Sequence, residues 1–298
     1  MLPVVWGTTF PIVKYALVET TPLLYNFFRF GITAAGFLIL SSSARRGCRT
    51  MLLPRSPEAR AVRLDGVVLG ATVGAGYILQ VYGLQTTSAS KCAFLTSTTI
   101  IWTPILAYLT GRERLGWIMI SAILVTILGV LLLTHPYHEM KGFETGDLLT
   151  LACAGVFSIY IIWVDRATPH AMKLVGSRSK ATAMVASNQL LVATTIMALM
   201  LPFGENSFRA TPFTLGSLAY LALFATAMTA YLQAMYQEAV SPSAAAVIYM
   251  LEPVVAALIG FALLHERMKL EELGGAALIV LGVLVAQIPT LRARRRNS

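Results

Sequence analysis

The charged residues divide this sequence into long apolar runs, and their spacing constrains the fold more than any other feature. Seven runs carry no charge and approach or exceed the length of a bilayer crossing. Three more runs are each interrupted by one charge, at Lys14, Arg29 and Glu252. The uninterrupted runs are 66–90, 92–111, 115–138, 148–164, 181–204, 210–237 and 273–291, and the interrupted ones are 1–18, 20–44 and 239–265. The pattern predicts an all-α integral membrane protein with ten transmembrane helices.

The composition argues against a separate water-soluble domain. Charged residues make up 12% of the 298 positions, about half of the roughly 25% that is usual in soluble domains. Ten spans of about 20 residues use roughly 200 positions, which leaves only short connections. Any binding site is therefore expected inside the membrane.

The formal net charge of +9 is better explained by membrane sidedness than by nucleic-acid binding. With the N-terminus in the cytoplasm, sixteen Lys and Arg residues fall on the cytoplasmic side and five on the other side. Since positive residues accumulate in cytoplasmic loops, this bias predicts that both termini are cytoplasmic. The basic tail 291–298 is interpreted as a topology anchor, and no nucleic-acid partner is expected.

The sequence lacks the motifs that an enzyme or a metal site would need. Cys48, Cys92 and Cys153 are scattered, without the Cys-x-x-Cys spacing of a metal or redox site. There is no His-Glu-x-x-His, Gly-x-Ser-x-Gly or Walker sequence, and His135 and His138 stand in a Pro-containing loop. We therefore expect no metal, no cofactor, no ATP hydrolysis and no enzymatic activity in this chain.

The chain also repeats itself. An offset of 153 superimposes residues 80–133 on 233–286 without a gap. The matched residues are Gln80 with Gln233, Ser88 and Ser90 with Ser241 and Ser243, Ala93 with Ala246, and Glu113-Arg114 with Glu266-Arg267. The predicted halves are 1–138 and 146–290, with five spans each, so the second half enters the membrane with reversed polarity. Inverted repeats are typical of secondary transporters, in which the substrate lies near the midplane.

Several short motifs carry a likeness to a known family. They are Trp6-Gly7-Thr8-Thr9-Phe10, Arg29-Phe30, Gly-Arg-Glu-Arg-Leu at 111–115, Leu251-Glu252-Pro253-Val254 and His265-Glu266-Arg267-Met268. In their order and duplication the chain resembles the EamA-like transporters of the drug/metabolite transporter superfamily. The resemblance implies a ten-helix carrier of small metabolites, often an exporter, in a bacterial inner membrane. The two halves differ, since Thr99-Ile100 stands where the second half has Glu252-Pro253.

Glu252 is the strongest candidate for the chemistry of such a carrier. It falls near the bilayer centre, where a charge costs about 2.5 to 3.5 kcal/mol on insertion scales. Pro253 follows it and leaves the carbonyl of Tyr249 without a helical partner. Glu252 could couple transport to a proton or cation, contact a substrate amine, or pair with a buried cation for packing alone. Arg29 could bind an anionic group of the substrate or neutralise Glu252.

The other candidates for the substrate pathway are polar amides and aromatic side chains. They are Gln80, Gln189, Gln233, Trp6, Trp102, Tyr160 and Tyr249, and the expected helix distortions used in gating are at Pro11, Pro104 and Pro253. Lys14 stands near the end of its span, where its stem can reach the interface. Together Arg29, Lys14 and Glu252 sum to +1, which favours a zwitterion or a small organic anion as substrate.

The sequence therefore predicts a secondary transporter that moves a small polar metabolite, such as an amino acid, by alternating access, with export favoured. Its expected partners are the small-molecule substrate and the lipid bilayer, and a homodimer is left open. The alternative is an integral membrane enzyme, or a translocase of lipid-linked substrates, that uses the same central cavity.

Overall fold

A computed structural model describes residues 2–134, 144–264 and 269–297. Within these ranges the regular structure is helical, apart from one isolated bridge between Thr20 and Phe208. The helices are α1 (Leu2–Gly7), α2 (Thr9–Ala16), α3 (Pro22–Leu40), α4 (Ser42–Leu52), α5 (Pro57–Thr86), α6 (Ala89–Ser97), α7 (Thr99–Leu109), α8 (Trp117–Thr134), α9 (Thr145–Val175), α10 (Arg178–Met200), α11 (Pro212–Tyr220), α12 (Thr229–Tyr236), α13 (Pro242–Tyr249), α14 (Leu251–Leu264) and α15 (Leu270–Asn297). A π-helical segment, Leu221–Met228, joins α11 to α12.

The all-helical prediction is confirmed, and eight helical stretches of the described chain are long and apolar enough to cross a membrane. The other two expected spans consist of shorter pieces, α1 with α2 and α13 with α14. Each is interrupted by a turn residue, and this shortens the continuous apolar helix. Some residues named from the sequence lie outside the described ranges, namely His135, His138 and the stretch 265–268. The backbone of the basic tail continues α15 as far as Asn297.

Two long helices, α5 and α9, pack against each other and form the centre of the bundle. Their closest approach is at Gly83 and Gly146, where a Cβ on either residue would come within 3 Å of the other's carbonyl oxygen. Small residues at such crossings let the backbones of membrane helices meet. At 30 and 31 residues, these helices are each about 45 Å long.

A second close pair, α8 and α15, shows the internal repeat in its contacts. A Cβ on Gly129 would lie 2.7 Å from the carbonyl oxygen of Gly275, and one on Gly282 would lie 3.0 Å from that of Ala122. Adding 153 converts Gly129 into Gly282 and Ala122 into Gly275. The shift therefore exchanges the two contacts, as a pseudo-two-fold axis between the helices would do.

The starts of α6 and α13 are capped by equivalent serines of the repeat. The Ser88 hydroxyl accepts a hydrogen bond from the Lys91 amide at 3.0 Å, and the Ser241 hydroxyl accepts one from the Ala244 amide at 3.3 Å. These bonds satisfy amides that have no partner within the helix. Both helices then stop after two or three turns, so a pair of broken helices stands at equivalent places in the repeat.

The helix breaks fall at Thr8, Thr98 and Met250. The breaks at Thr8 and Met250 each lie three residues before a proline, Pro11 and Pro253. Each is therefore next to the carbonyl, four residues before the proline, that has no helical partner. Pro104 behaves differently, because α7 runs through it without interruption. The expected distortion at Pro104 is therefore not seen, and the break in this helix pair lies nearly two turns earlier.

Candidate functional site

The pieces of the broken helices meet the long helices around a central cavity of about 100 Å³. Its wall is mostly apolar and aromatic, with a few polar groups that converge on the space, a composition typical of small-molecule sites. Seven of the nine residues predicted for the substrate pathway line this cavity. They are Trp6, Gln80, Tyr160, Gln189, Gln233, Tyr249 and Glu252. The structure thus brings them together, and their role in transport stays a prediction.

Glu252 stands in the first turn of α14, two residues after the break at Met250. It lines the cavity, and it forms no hydrogen bond or ion pair with any residue that the structure describes. Three of the helices packed on α14, namely α1, α8 and α13, carry no charged side chain. The fourth, α15, has Glu271 and Glu272 in its first turn and its arginines in its last two turns, at 292–296. An unpaired carboxylate in a membrane interior has a high free-energy cost. A bound proton or a cationic ligand would lower that cost.

The backbone at Glu252 is held by α1. A Cβ on Gly7 would lie 2.9 Å from the carbonyl oxygen of Glu252 and 3.3 Å from the amide nitrogen of Ala256. Only glycine allows α1 to approach α14 this closely. The contact also places Trp6 beside Tyr249, with ring centroids 5.2 Å apart in an edge-to-face arrangement. The first helix of the chain and the broken helix of the second half therefore form one wall of the cavity.

A chain of hydrogen bonds continues from Tyr249 along the wall. The Tyr160 hydroxyl donates to Gln233 Oε1 at 3.3 Å, Gln233 Nε2 donates to the Tyr249 oxygen at 2.9 Å, and the Tyr249 hydroxyl donates to Gln237 Oε1 at 2.8 Å. These bonds join α9, α12 and α13. They fix the tyrosine rings that face the cavity, which keeps the site preorganised.

Other polar atoms at the cavity have no such partner. Trp6 Nε1, Thr96 Oγ1 and Gln189 Oε1 are buried without a hydrogen bond among the described residues. The side chain of Gln80, which is half-buried, also has no partner there. Because an unsatisfied buried polar group costs about 1–3 kcal/mol, these atoms are available to a ligand or to water.

Arg29 is buried, but it does not line the cavity. Its Nε donates to Thr226 Oγ1 at 2.7 Å and its Nη2 donates to the Ala225 carbonyl at 3.3 Å. Its guanidinium also lies 4.7 Å from the ring centroid of Tyr77. The π-helical segment supplies these acceptors, so Arg29 supports the cavity wall from behind. Among the described residues it pairs neither with Glu252 nor with any other carboxylate.

Two further expectations need correction. Trp102 is 43% exposed and lies outside the cavity, because it falls about 200° around the helix from the buried Ile100. Lys14 reaches the end of α5, where its Nζ donates to the carbonyl oxygens of Leu84 and, at 2.9 Å, Thr87. With Arg29 and Lys14 removed from the lining, the formal charge of the described cavity wall is that of Glu252 alone. The sum of +1 is therefore wrong for this cavity.

Some lining residues were missed in the sequence. Tyr77 lies three residues before Gln80, and Phe157 lies three residues before Tyr160. Thr226 lies seven residues before Gln233, and Thr229 lies four residues before it. Residues three, four or seven apart share one face of a helix. Extending each chosen residue along its helical face would have found all four.

Polar contacts close the bundle at both ends of the α5–α9 pair. At one end, Lys91 Nζ lies 2.6 Å from Asp147 Oδ2, and the Thr87 hydroxyl donates to Asp147 Oδ1 at 2.8 Å. At the other end, Asp65 accepts from Trp163 Nε1 at 3.0 Å and lies 2.6 Å from His170 Nδ1. Both aspartates are buried. The cavity therefore lies between two separate groups of ionic contacts.

Comparison with known proteins adds the identity of the family. The model of the EamA-like transporter family matches residues 1–135 and again residues 144–287. The chain is 29% identical over 289 residues to an uncharacterized transporter of Archaeoglobus fulgidus, a match that covers 97% of this chain and 84% of that protein. It is also 29% identical over 291 residues to the uncharacterized inner membrane transporter YedA of Escherichia coli K12, with 95% and 88% covered.

A solved structure, described as the crystal structure of a protein, resembles the fold over its whole length. The TM-score is 0.74, and the match covers 100% of this chain and 96% of that one. At 19% identity, this likeness concerns the fold alone.

Proposed function

Because the chain belongs to the EamA-like transporter family, we propose that it is a secondary transporter that exports a small polar metabolite, such as an amino acid, by alternating access. The observation that carries this proposal is the central cavity between the broken helices, with the unpaired carboxylate of Glu252 in its wall. In this account Glu252 is the coupling group, which exchanges a proton for the substrate.

The proposed architecture has ten spans in two inverted halves, 1–138 and 146–290. It is supported by the two matches of the family model, by the exchanged contacts of α8 and α15, and by the equivalent caps at Ser88 and Ser241. Counting α1–α2 and α13–α14 as one span each adds two to the eight long stretches. An odd number of spans per half would reverse the second half, and the distribution of Lys and Arg favours cytoplasmic termini.

The two ionic groups on the α5–α9 pair suit a carrier that alternates between sides. A rocking motion of one half against the other must break contacts at one end of the cavity and keep those at the other end. The contacts of Asp147 and those of Asp65 lie at opposite ends, so each can serve as a closure for one side. The close backbone crossings at Gly83 and Gly7 give rigid contacts about which helices can move together.

The test is uptake into proteoliposomes that contain the purified protein. Labelled amino acids, amines, organic acids, sugars and nucleosides are offered with and without an imposed pH gradient. We expect saturable uptake of one class and stimulation by the gradient, because Glu252 must exchange its proton. Absence of uptake of every class by folded protein would contradict the proposal and would favour a lipid-linked substrate or an enzyme.

A further inference from the structure

The cavity wall carries one formal negative charge and no described positive one. Among the described lining residues Glu252 is the charged one, and Arg29 is held behind the wall by Thr226 and Ala225. Lys14 is likewise bound to the end of α5. A substrate carboxylate would therefore meet a like charge, whereas a cationic group would meet an unpaired opposite one.

The unpartnered polar atoms around the cavity extend this preference. Gln189 Oε1 and Thr96 Oγ1 are buried hydrogen-bond acceptors without a donor among the described residues. An ammonium group is a donor of three hydrogen bonds and accepts none. The wall thus offers the acceptors that a protonated amine requires, in addition to the carboxylate.

Aromatic rings complete the site. Trp6, Tyr77, Phe157, Tyr160 and Tyr249 all line the cavity. The faces of such rings attract cations, more strongly when water is excluded, and they pack well against an apolar body. The Arg29 guanidinium already lies 4.7 Å from the Tyr77 ring, which shows that this wall accepts a cation from its outer side.

We propose that the substrate is a small organic amine, bound as its cation with the ammonium group at Glu252 and its apolar part against the aromatic wall. This inference rests on the proposed function and names the substrate class of the same cavity. It replaces the zwitterion or small organic anion that the sequence favoured, and it prefers an amine without a carboxylate to the amino acid given above as an example. Amine and proton then compete for one carboxylate, so binding of the amine releases the proton.

The experiment compares three probes of the same carbon skeleton on the detergent-purified full chain at neutral pH. Benzylamine is the cation, benzamide the neutral analogue and benzoate the anion. A ligand that binds the folded state raises the unfolding temperature, by about 3 °C per kcal/mol of binding linkage for a chain of this size. We expect such a rise with benzylamine, and less than about a third of it with the other two probes at equal concentration.

The variants Glu252→Gln and Glu205→Gln make the same change at the cavity and on an exposed loop. The first should weaken benzylamine binding at least tenfold, and the second should leave it unchanged. The proposal is overturned if no probe stabilises the chain, if benzamide or benzoate matches benzylamine, or if Glu252→Gln retains the effect. Because the comparison of probes uses the natural chain, it decides even where a variant fails to fold.

Failure of this inference is distinguishable from failure of the proposed function. Uptake of a sugar or an organic acid into proteoliposomes, together with the absence of benzylamine binding, would keep the carrier and reject the amine.

Discussion

The two broken helix pairs, α6–α7 and α13–α14, occupy equivalent places in the repeat but carry different chemistry. Both begin at a capping serine, and both break within about ten residues of it, at Thr98 and at Met250. After the break the first pair presents Thr99 to the cavity, and the second presents Glu252 at the equivalent position. The two halves therefore share a framework, and at this position one of them carries the ionisable group. Four substitutions test this comparison.

The largest effect is expected from Glu252→Gln, which removes the charge and keeps the shape. Gradient-driven uptake should fall at least tenfold, equivalent to about 1.4 kcal/mol, because the carboxylate is the coupling group. Insertion and folding should persist, since no described contact depends on the charge. The measurement is initial uptake rate in proteoliposomes, with Glu205→Gln as the control. Uptake by the variant at the rate of the natural chain would rule out the coupling role.

A second substitution, Gly7→Ala, disturbs the packing of α1 against the backbone of α14 at Glu252. The new Cβ would lie 2.9 Å from the Glu252 carbonyl oxygen, and overpacking of this kind costs about 1–3 kcal/mol. We expect a lower unfolding temperature and uptake reduced by roughly threefold or more.

The control for this packing is Gly36→Ala, because a Cβ at Gly36 meets nothing within 4 Å. It should leave both the unfolding temperature and the uptake close to those of the natural chain. Equal behaviour of the two variants would remove the close contact between α1 and α14 from the account.

A third substitution, Glu113→Gln, weakens the start of α13. The Glu113 carboxylate, in the connection between α7 and α8, accepts from the Ser241 hydroxyl at 2.8 Å and from the Ser243 amide at 3.1 Å. Loss of such a charged cap costs about 0.5–2 kcal/mol, so we expect a fall of a few degrees in unfolding temperature. Thermal unfolding checks this, and an unchanged temperature would show that the cap contributes nothing. The substitution with the smallest expected effect on uptake lies in the first half of the chain.

Thr99→Val removes the hydroxyl at the position equivalent to Glu252. Thr99 is buried at the cavity, and a neutral hydrogen bond is worth only about 0.5–1.5 kcal/mol. Uptake should therefore change by less than about threefold, against at least tenfold for Glu252→Gln. A loss as large as that of Glu252→Gln would show that the halves contribute equally, and the asymmetry would be wrong.

The sequence predicted the helical class and seven of the residues that line the cavity, because run length and the positions of polar and aromatic residues within apolar runs can be read along the chain. It did not predict the orientation of Trp102, since an entirely apolar helix gives no signal of which face meets protein and which meets lipid. The partners of Arg29 were equally hidden. They belong to the π-helical segment Leu221–Met228, whose carbonyl and hydroxyl groups accept the hydrogen bonds of Arg29 in place of a carboxylate. The apolar sequence of this segment does not predict a π-helix.

In the proposed transport cycle one carboxylate, Glu252, exchanges its proton for the substrate. Its most direct test records the internal pH of proteoliposomes with a trapped dye while a transported solute from the uptake panel is added. We expect substrate-dependent proton movement with the natural chain and none with Glu252→Gln. Proton movement of equal size with Glu252→Gln, or substrate uptake by the natural chain without any proton movement, would contradict it.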